Sequence, residues 1–220
     1  MPPSISSLTS RWAADTGALR FLWRAGPIAI VHLAALIILF QTEYYDVPRI
    51  GSFLLAWGFL NFAWLAVLRR PGVSAVMSLA MVAILIQVSD LKYKVVWQTV
   101  SFVDLMVIDL SSFSYLLAIF PGLTTYVFLG IAAASAVVLL LWRLDPFRMP
   151  RLTAVAGALA CLLGLGGLSV THPFWPEDIW YPNSHVSNFA RSGVDAVSAY
   201  ARGGYMESDA TVTDRLKMTP

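Results

Sequence analysis

Five apolar blocks dominate this chain, running from Ala25 to Tyr44, Ile50 to Leu68, Val73 to Val88, Leu123 to Trp142 and Leu152 to Thr171. Crossing a bilayer as a helix takes about 20 predominantly apolar residues, and the third block is the shortest of the five. Unbroken apolar runs lack the period-two alternation of a barrel strand, so the blocks read as helices. Composition agrees: the chain is 58% hydrophobic and 13% charged, whereas a soluble domain carries about 25% charged residues. The sequence therefore predicts an all-α integral membrane protein. No basic cluster interleaves with aromatics in a soluble context, so nucleic acid is not an expected partner.

Charge sets the expected orientation. With the N-terminus in the cytoplasm, the inner segments hold Arg11, Arg20, Arg24, Arg69, Arg70, Arg143, Arg148 and Arg151 against only Asp15 and Asp145. The other side holds the remaining basic residues among a majority of the acids. The positive-inside rule then gives five spans, N-terminus in and C-terminus out. The first block leads into QTEYYDVPR without a small-residue cleavage site, so it is expected to remain as a span rather than be removed as a signal peptide. The division that follows is a cytoplasmic segment 1–24, a five-span domain 25–171, and an extracytoplasmic juxtamembrane helix and linker 172–220.

The segment KYKVVWQTVSFVDLMVID, Lys92 to Asp109, lies between the third and fourth blocks. Its carboxylates Asp104 and Asp109 stand among Phe, Val, Leu and Met, and a carboxylate in hydrocarbon is costly. At about 100° per residue, Lys94, Gln98, Ser101, Asp109 and Ser112 share one face. The expectation is an interfacial helix, whole or broken, on the outer side, its acids turned to water, to Lys92 and Lys94, or into the bundle. After Thr171, HPFWPEDIWYPNS reads as an extended exit from the membrane. From His185 to Arg202, Val186, Phe189, Gly193, Val194, Val197 and Tyr200 recur at helical spacing, with Gly203 and Gly204 as the stop.

In the fifth block Ala156, Ala160 and Gly164 are four residues apart, with Gly157 and Cys161 beside them. Small residues so spaced let helices approach closely, here as packing inside the bundle. Cys161 is the single cysteine, so no intrachain disulfide forms. Catalytic motifs are absent from the sequence: there is no HExxH, GxSxG, Walker loop or CxxC. His32 reads as a packing residue. His172, Glu177, Asp178 and His185 are close in sequence, but their spacing matches no recognised metal site. The remaining constellation is electrostatic. Lys92, Lys94, Arg191 and Arg202, with Asp104, all fall on the outer side near the membrane and could hold an anionic lipid headgroup.

Three stretches occur in order: LNFAWLAVLRRP, SDLKYKVVWQTVSFVDLMVID and NSHVSNFARSGVDAVSAYARGGYMESD. Together, over about Gly51 to Asp209, they resemble the membrane portion of bacterial lipoteichoic-acid-synthase-like phosphoglycerol transferases, in particular the Gram-negative sulfatase-like or glucan phosphoglycerol transferases. The resemblance implies an inner-membrane location. It also implies a large extracytoplasmic domain of the alkaline phosphatase and sulfatase superfamily. That domain would use a threonine nucleophile and manganese or magnesium to move glycerol phosphate from phosphatidylglycerol to a polymer or glucan. The chain stops at Pro220, where that domain is expected to begin, so no catalytic or metal residue of the family falls on it. The expectation is a membrane module that anchors and orients a catalytic domain supplied in cis or in trans, with membrane lipids, phosphatidylglycerol among them, as partners. The alternative is a stand-alone, non-enzymatic membrane protein that binds a partner through its C-terminal amphipathic helix.

Overall fold

The computed structural model describes residues 25–107, 121–145 and 147–203, and these are helical with no strand among them. The helices are α1 (Ala25–Thr42), α2 (Val47–Leu68), α3 (Pro71–Val96), the short α4 (Phe102–Val107), α5 (Pro121–Leu144), α6 (Arg151–Thr171) and α7 (His185–Gly203). A 3-10 turn at Pro176–Trp180 precedes α7. Four of them, α1, α2, α3 and α6, are long and apolar enough to cross a membrane, which marks a multi-pass membrane protein. In α5 the apolar stretch is Phe128–Arg143. The bundle turns Ile30, Leu33, Ile84, Val95, Leu152, Leu163 and Val170 outward. That is the inverse of a soluble surface, and it fits lipid as the solvent.

Local chemistry sets the helix ends. Asp46 caps α2 by accepting from the Arg49 N–H at 2.8 Å, with Pro48 in the first turn. Arg69 closes α2 in the left-handed region at φ 61°, and Pro71, which lacks an N–H to leave unsatisfied, opens α3. The sequence placed the third span at Val73–Val88, yet α3 runs on to Val96 and is the longest helix described. Its 26 residues span about 39 Å, more than the roughly 30 Å of hydrocarbon, so its last turns project beyond an apolar slab. Asp90, Lys92 and Lys94 end the apolar run but not the helix. Lys94 donates to Asp90 one turn back at 2.6 Å, which supports the helix rather than interrupting it.

Of the whole or broken helix expected here, the described residues after α3 take the broken form. Trp97 takes φ 59° and terminates α3, residues 98–101 are non-helical, and α4 starts at Phe102. The helical face drawn through Lys94, Gln98 and Ser101 is therefore broken at Trp97, while Asp109 and Ser112 lie outside the described residues.

The packing core joins Ala35 and Leu39 of α1, Phe53, Ala56 and Trp57 of α2, Val82 of α3 and Val186 of α7. Buried Ser52, Ser74 and Ser78 return their hydroxyls to the carbonyls of Pro48, Arg70 and Ser74, one turn back, and so cost little in an apolar setting. α2 and α6 pack closely along their lengths, and here the small residues act inside the bundle, as expected. A Cβ on Gly157 would stand 2.7 Å from the Phe62 ring, one on Gly164 2.8 Å from Leu55 Cδ2, and one on Gly58 2.9 Å from Cys161 Sγ. The contact stripe is thus Gly157, Cys161 and Gly164, whereas Ala156 and Ala160 are exposed. Gly157→Leu should therefore cost about 1–3 kcal/mol from overpacking, and Ala156→Leu next to nothing, when both are unfolded in detergent. Equal losses would mean that α6 presents a different face to α2.

Two sets of contacts show which helix ends meet. At one end Met149 N–H donates to Arg69 O at 3.1 Å. There the Asp145 carboxylate accepts from Gly72 N–H at 2.6 Å, so the α2–α3 and α5–α6 connections touch. At the other, Ser184 N–H donates to Thr42 O at 2.7 Å and Thr99 N–H to Ile179 O at 2.8 Å. These bonds gather the end of α1, the region after α3 and the start of α7.

Candidate functional site

The α7 end holds a buried polar cluster of a kind the rest of the bundle lacks among the described residues. Asp178, in the 3-10 turn, stands between two arginines: Arg49 Nη2 donates to Oδ1 at 3.0 Å and Arg191 Nη1 lies 3.2 Å from Oδ2. Its Oδ2 also accepts from Trp175 N–H at 3.2 Å, which fixes the turn that carries it. Arg49 pairs in addition with Asp46 and lies over both rings of the Tyr44–Tyr181 pair, at 5.4 and 5.0 Å from their centroids. Arg191 is 5% exposed; it donates through Nη2 to Pro173 O at 2.9 Å and sits over Phe174. Two guanidiniums thus face two carboxylates, and the cluster is close to neutral. A cleft of about 260 Å³ opens beside it, walled by Pro48, Thr171, His172, Pro173 and Trp175.

α7 is locked into this cluster by its first two turns. Glu43, just past α1, is 3% exposed and caps α7 from outside: Oε1 accepts from Val186 N–H at 2.9 Å and Ser187 N–H at 3.3 Å, and Oε2 accepts the Ser187 hydroxyl. Burial pushes the Glu43 carboxyl up to about 7, against those three donors and the Arg49 charge, which favour ionisation. His185 Nδ1 lies 2.8 Å from Ser89 Oγ, and Ser89 Oγ accepts from Val100 N–H at 3.0 Å. Burial holds His185 below its usual range, with the Asp90 charge opposing. Asn188, fully buried, donates to Asp178 O at 2.7 Å and to Thr99 Oγ1 at 3.2 Å. Beyond Ala196 the helix emerges, with Val197 and Tyr200 exposed.

The five residues read from sequence as a headgroup set take separate positions. Lys92 Nζ meets Asp104 Oδ2 at 2.7 Å, the one direct contact among the five. Asp104 also accepts from the Ser101 N–H and hydroxyl at the start of α4. Burial alone would raise its carboxyl, but Lys92 and Ser101 together hold it below the usual carboxylate range. Lys94 pairs with Asp90, and Arg202 bonds Ser198 on its own helix, both in exposed positions. Arg191 belongs to the Asp178 cluster. Of the residues considered for a metal, Asp178 serves the arginines, His185 serves Ser89, and Glu177 is exposed. No three of His, Cys, Asp and Glu gather as ligands among the described residues. Sequence reasoning passed over Glu43, Arg49, Thr99 and Asn188. The available signal was the run EYYDVPR, where Asp46 before Pro48 marks a helix start and puts Glu43 and Arg49 at one membrane level. No family model matches the chain, and no curated protein and no solved structure matches it.

Proposed function

We propose that this chain is the membrane module of a bacterial phosphoglycerol transferase, seated in the cytoplasmic membrane with five crossings, α5 being the fourth in order, and with the α7 end outside. The arginines Arg69, Arg70, Arg143, Arg148 and Arg151 at the opposite end support that orientation. Its role is to anchor and orient an extracytoplasmic catalytic domain, in cis or in trans, that moves glycerol phosphate from phosphatidylglycerol to a glycan or polymer. Manganese or magnesium would belong to that domain.

The observation that carries this reading is the clamp on α7. A helix meant only to lie on a membrane needs an apolar face. This one is bolted by Glu43, Asn188 and Arg191 to the segments just past α1, α3 and α6 and to the 3-10 turn, so whatever α7 bears or binds is held at a fixed height and azimuth beside the leaflet. A tethered enzyme then meets its lipid donor at high effective concentration. The test is transfer of labelled glycerol phosphate from phosphatidylglycerol in membranes of cells lacking the gene, restored by wild type or by Lys92→Ala. We expect loss on deletion, full rescue by wild type, and weakened transfer at equal protein level with Lys92→Ala. Undiminished transfer in the deleted strain would end the proposal, and full rescue by Lys92→Ala would remove the Lys92–Asp104 pair from donor handling. The exposed Val197 and Tyr200 favour a second reading, a non-enzymatic partner-binding role for α7. Unchanged crosslinked complexes after both are replaced by Ser would count against it.

A further inference from the structure

At the end of the bundle opposite α7, a second cleft of about 210 Å³ is lined by Leu68, Arg69, Arg70, Trp142 and Arg148. Three of its five lining residues are arginines and none is an acid. Arg69 and Arg148 are exposed and form no ion pair with any described residue. The nearby carboxylate, Asp145, is engaged elsewhere: it accepts from the Gly72, Val73 and Phe147 N–H groups at 2.6, 3.4 and 3.0 Å, capping α3. Arg70 is positioned without a carboxylate, its guanidinium 5.1 Å from the Trp142 ring centroid and bonded to the Asp145 backbone carbonyl. The Met149 N–H to Arg69 O bond holds Arg148 and Arg69 side by side on the two connections. Exposed Val67, Leu139, Leu140 and Leu152 flank this end, so the cleft sits where helix surface suited to acyl chains gives way to charge.

We infer that this cleft is a binding site for the phosphate headgroup of an anionic phospholipid, with Arg70 and Arg148 on the phosphate, Arg69 beside them and the acyl chains along α2 and α5. Guanidinium forks match phosphate oxygens, and basic pockets between membrane helices select anionic headgroups. A tryptophan at the rim marks the interfacial depth. The site is independent of the transferase reading, which concerns the other end.

The test is native mass spectrometry of the full chain in detergent, titrated with phosphatidylglycerol or phosphatidylcholine, with free glycerol 3-phosphate as competitor. One phosphatidylglycerol should be retained in preference to phosphatidylcholine. Arg70→Ala and Arg148→Ala should each weaken retention about fivefold. Arg151→Ala, which removes the same charge from outside the cleft, should leave it unchanged. Arg148 makes no hydrogen bond to a described residue, so its variant keeps the test valid if Arg70→Ala misfolds. Equal losses in all three variants would reduce the effect to diffuse charge and overturn the site. So would equal retention of both lipids, or displacement by glycerol 3-phosphate at concentrations equal to the lipid.

Discussion

Asp178→Asn should be the most damaging single substitution at the α7 end, lowering stability by about 3–5 kcal/mol, the usual result of removing one partner from a buried ion pair. The side chains of Arg49, Asp178 and Arg191 are only 13%, 12% and 6% exposed, so water cannot take over the lost contacts. Arg49 keeps Asp46, but Arg191 keeps no carboxylate, only the backbone carbonyls of His172 and Pro173 and the Phe174 ring. The amide also presents a donor where both carboxylate oxygens accepted. The measurement is thermal unfolding of the purified chain in detergent. A double variant with Arg191→Met should recover a substantial part of the loss, because it removes the stranded charge along with its partner. If Asp178→Asn unfolds within about 1 kcal/mol of wild type, the pairs behave as surface pairs do, and the clamp on α7 has another source.

The helices were legible because a membrane span is a one-dimensional signal: apolar length alone places α1, α2 and α6 nearly to the residue. Hydropathy misplaces a boundary where helix and hydrophobicity part company. In α3 hydropathy stops at Val88, while hydrogen bonding and the Asp90–Lys94 pair carry the helix to Val96. Around Trp97 the apolar content gives no warning of a left-handed residue, so a whole and a broken helix stayed equally open where α3 ends, a non-helical link follows and α4 begins. The stripe on α6 was read as Ala156, Ala160 and Gly164 with Gly157 and Cys161 beside them; Gly157, Cys161 and Gly164 pack, while Ala156 and Ala160 are exposed. Nothing in the residues themselves ranks an alanine face below a glycine face; only the partner's bulk, Phe62 and Leu55, decides it.

The cluster was the least legible part, for a related reason. Arg49 and Asp178 are 129 residues apart in sequence, and Glu43 and Ser187 are 144 apart. An expected shared side of the membrane suggested Lys92, Lys94, Arg191 and Arg202 as one group. The fold pairs Lys92, Lys94 and Arg191 with Asp104, Asp90 and Asp178 instead, and leaves Arg202 exposed on Ser198. The residues that were missed share one property: each sits within a few positions of a helix terminus, where orphan backbone groups need partners.

Glu43→Gln should reverse the pH dependence of stability. The Glu43 carboxyl is at about 7 when folded, against 4.5 as the ordinary value. Between those values the folded protein holds a proton that the unfolded chain has released. Its contribution is therefore complete below pH 4.5 and is lost as pH rises through 7, about 3 kcal/mol in all at 1.36 kcal/mol per unit. His185 works in the opposite sense. Its folded value is depressed, so its contribution is complete above its ordinary 6.5 and is lost as pH falls through the folded value. The two groups cap and seat the same turns of α7, with Arg49, Asp46 and Asp90 as the charges nearby, and their slopes oppose each other in wild type. Glutamine keeps an acceptor for the Val186 and Ser187 N–H groups but carries no proton to lose. Glu43→Gln should thus match wild type near pH 4.5, exceed it by up to about 3 kcal/mol at pH 8, and gain stability as pH rises. His185→Gln should fall more steeply than wild type over the same range. Unfolding in detergent from pH 4.5 to 8 separates the two. If Glu43→Gln is the less stable protein at pH 8, the Glu43 carboxyl is ionised in the fold well below neutral pH and its charge holds the start of α7. If it is the more stable one, the carboxyl is neutral below pH 7, and the seating of α7 loosens as pH rises through 7.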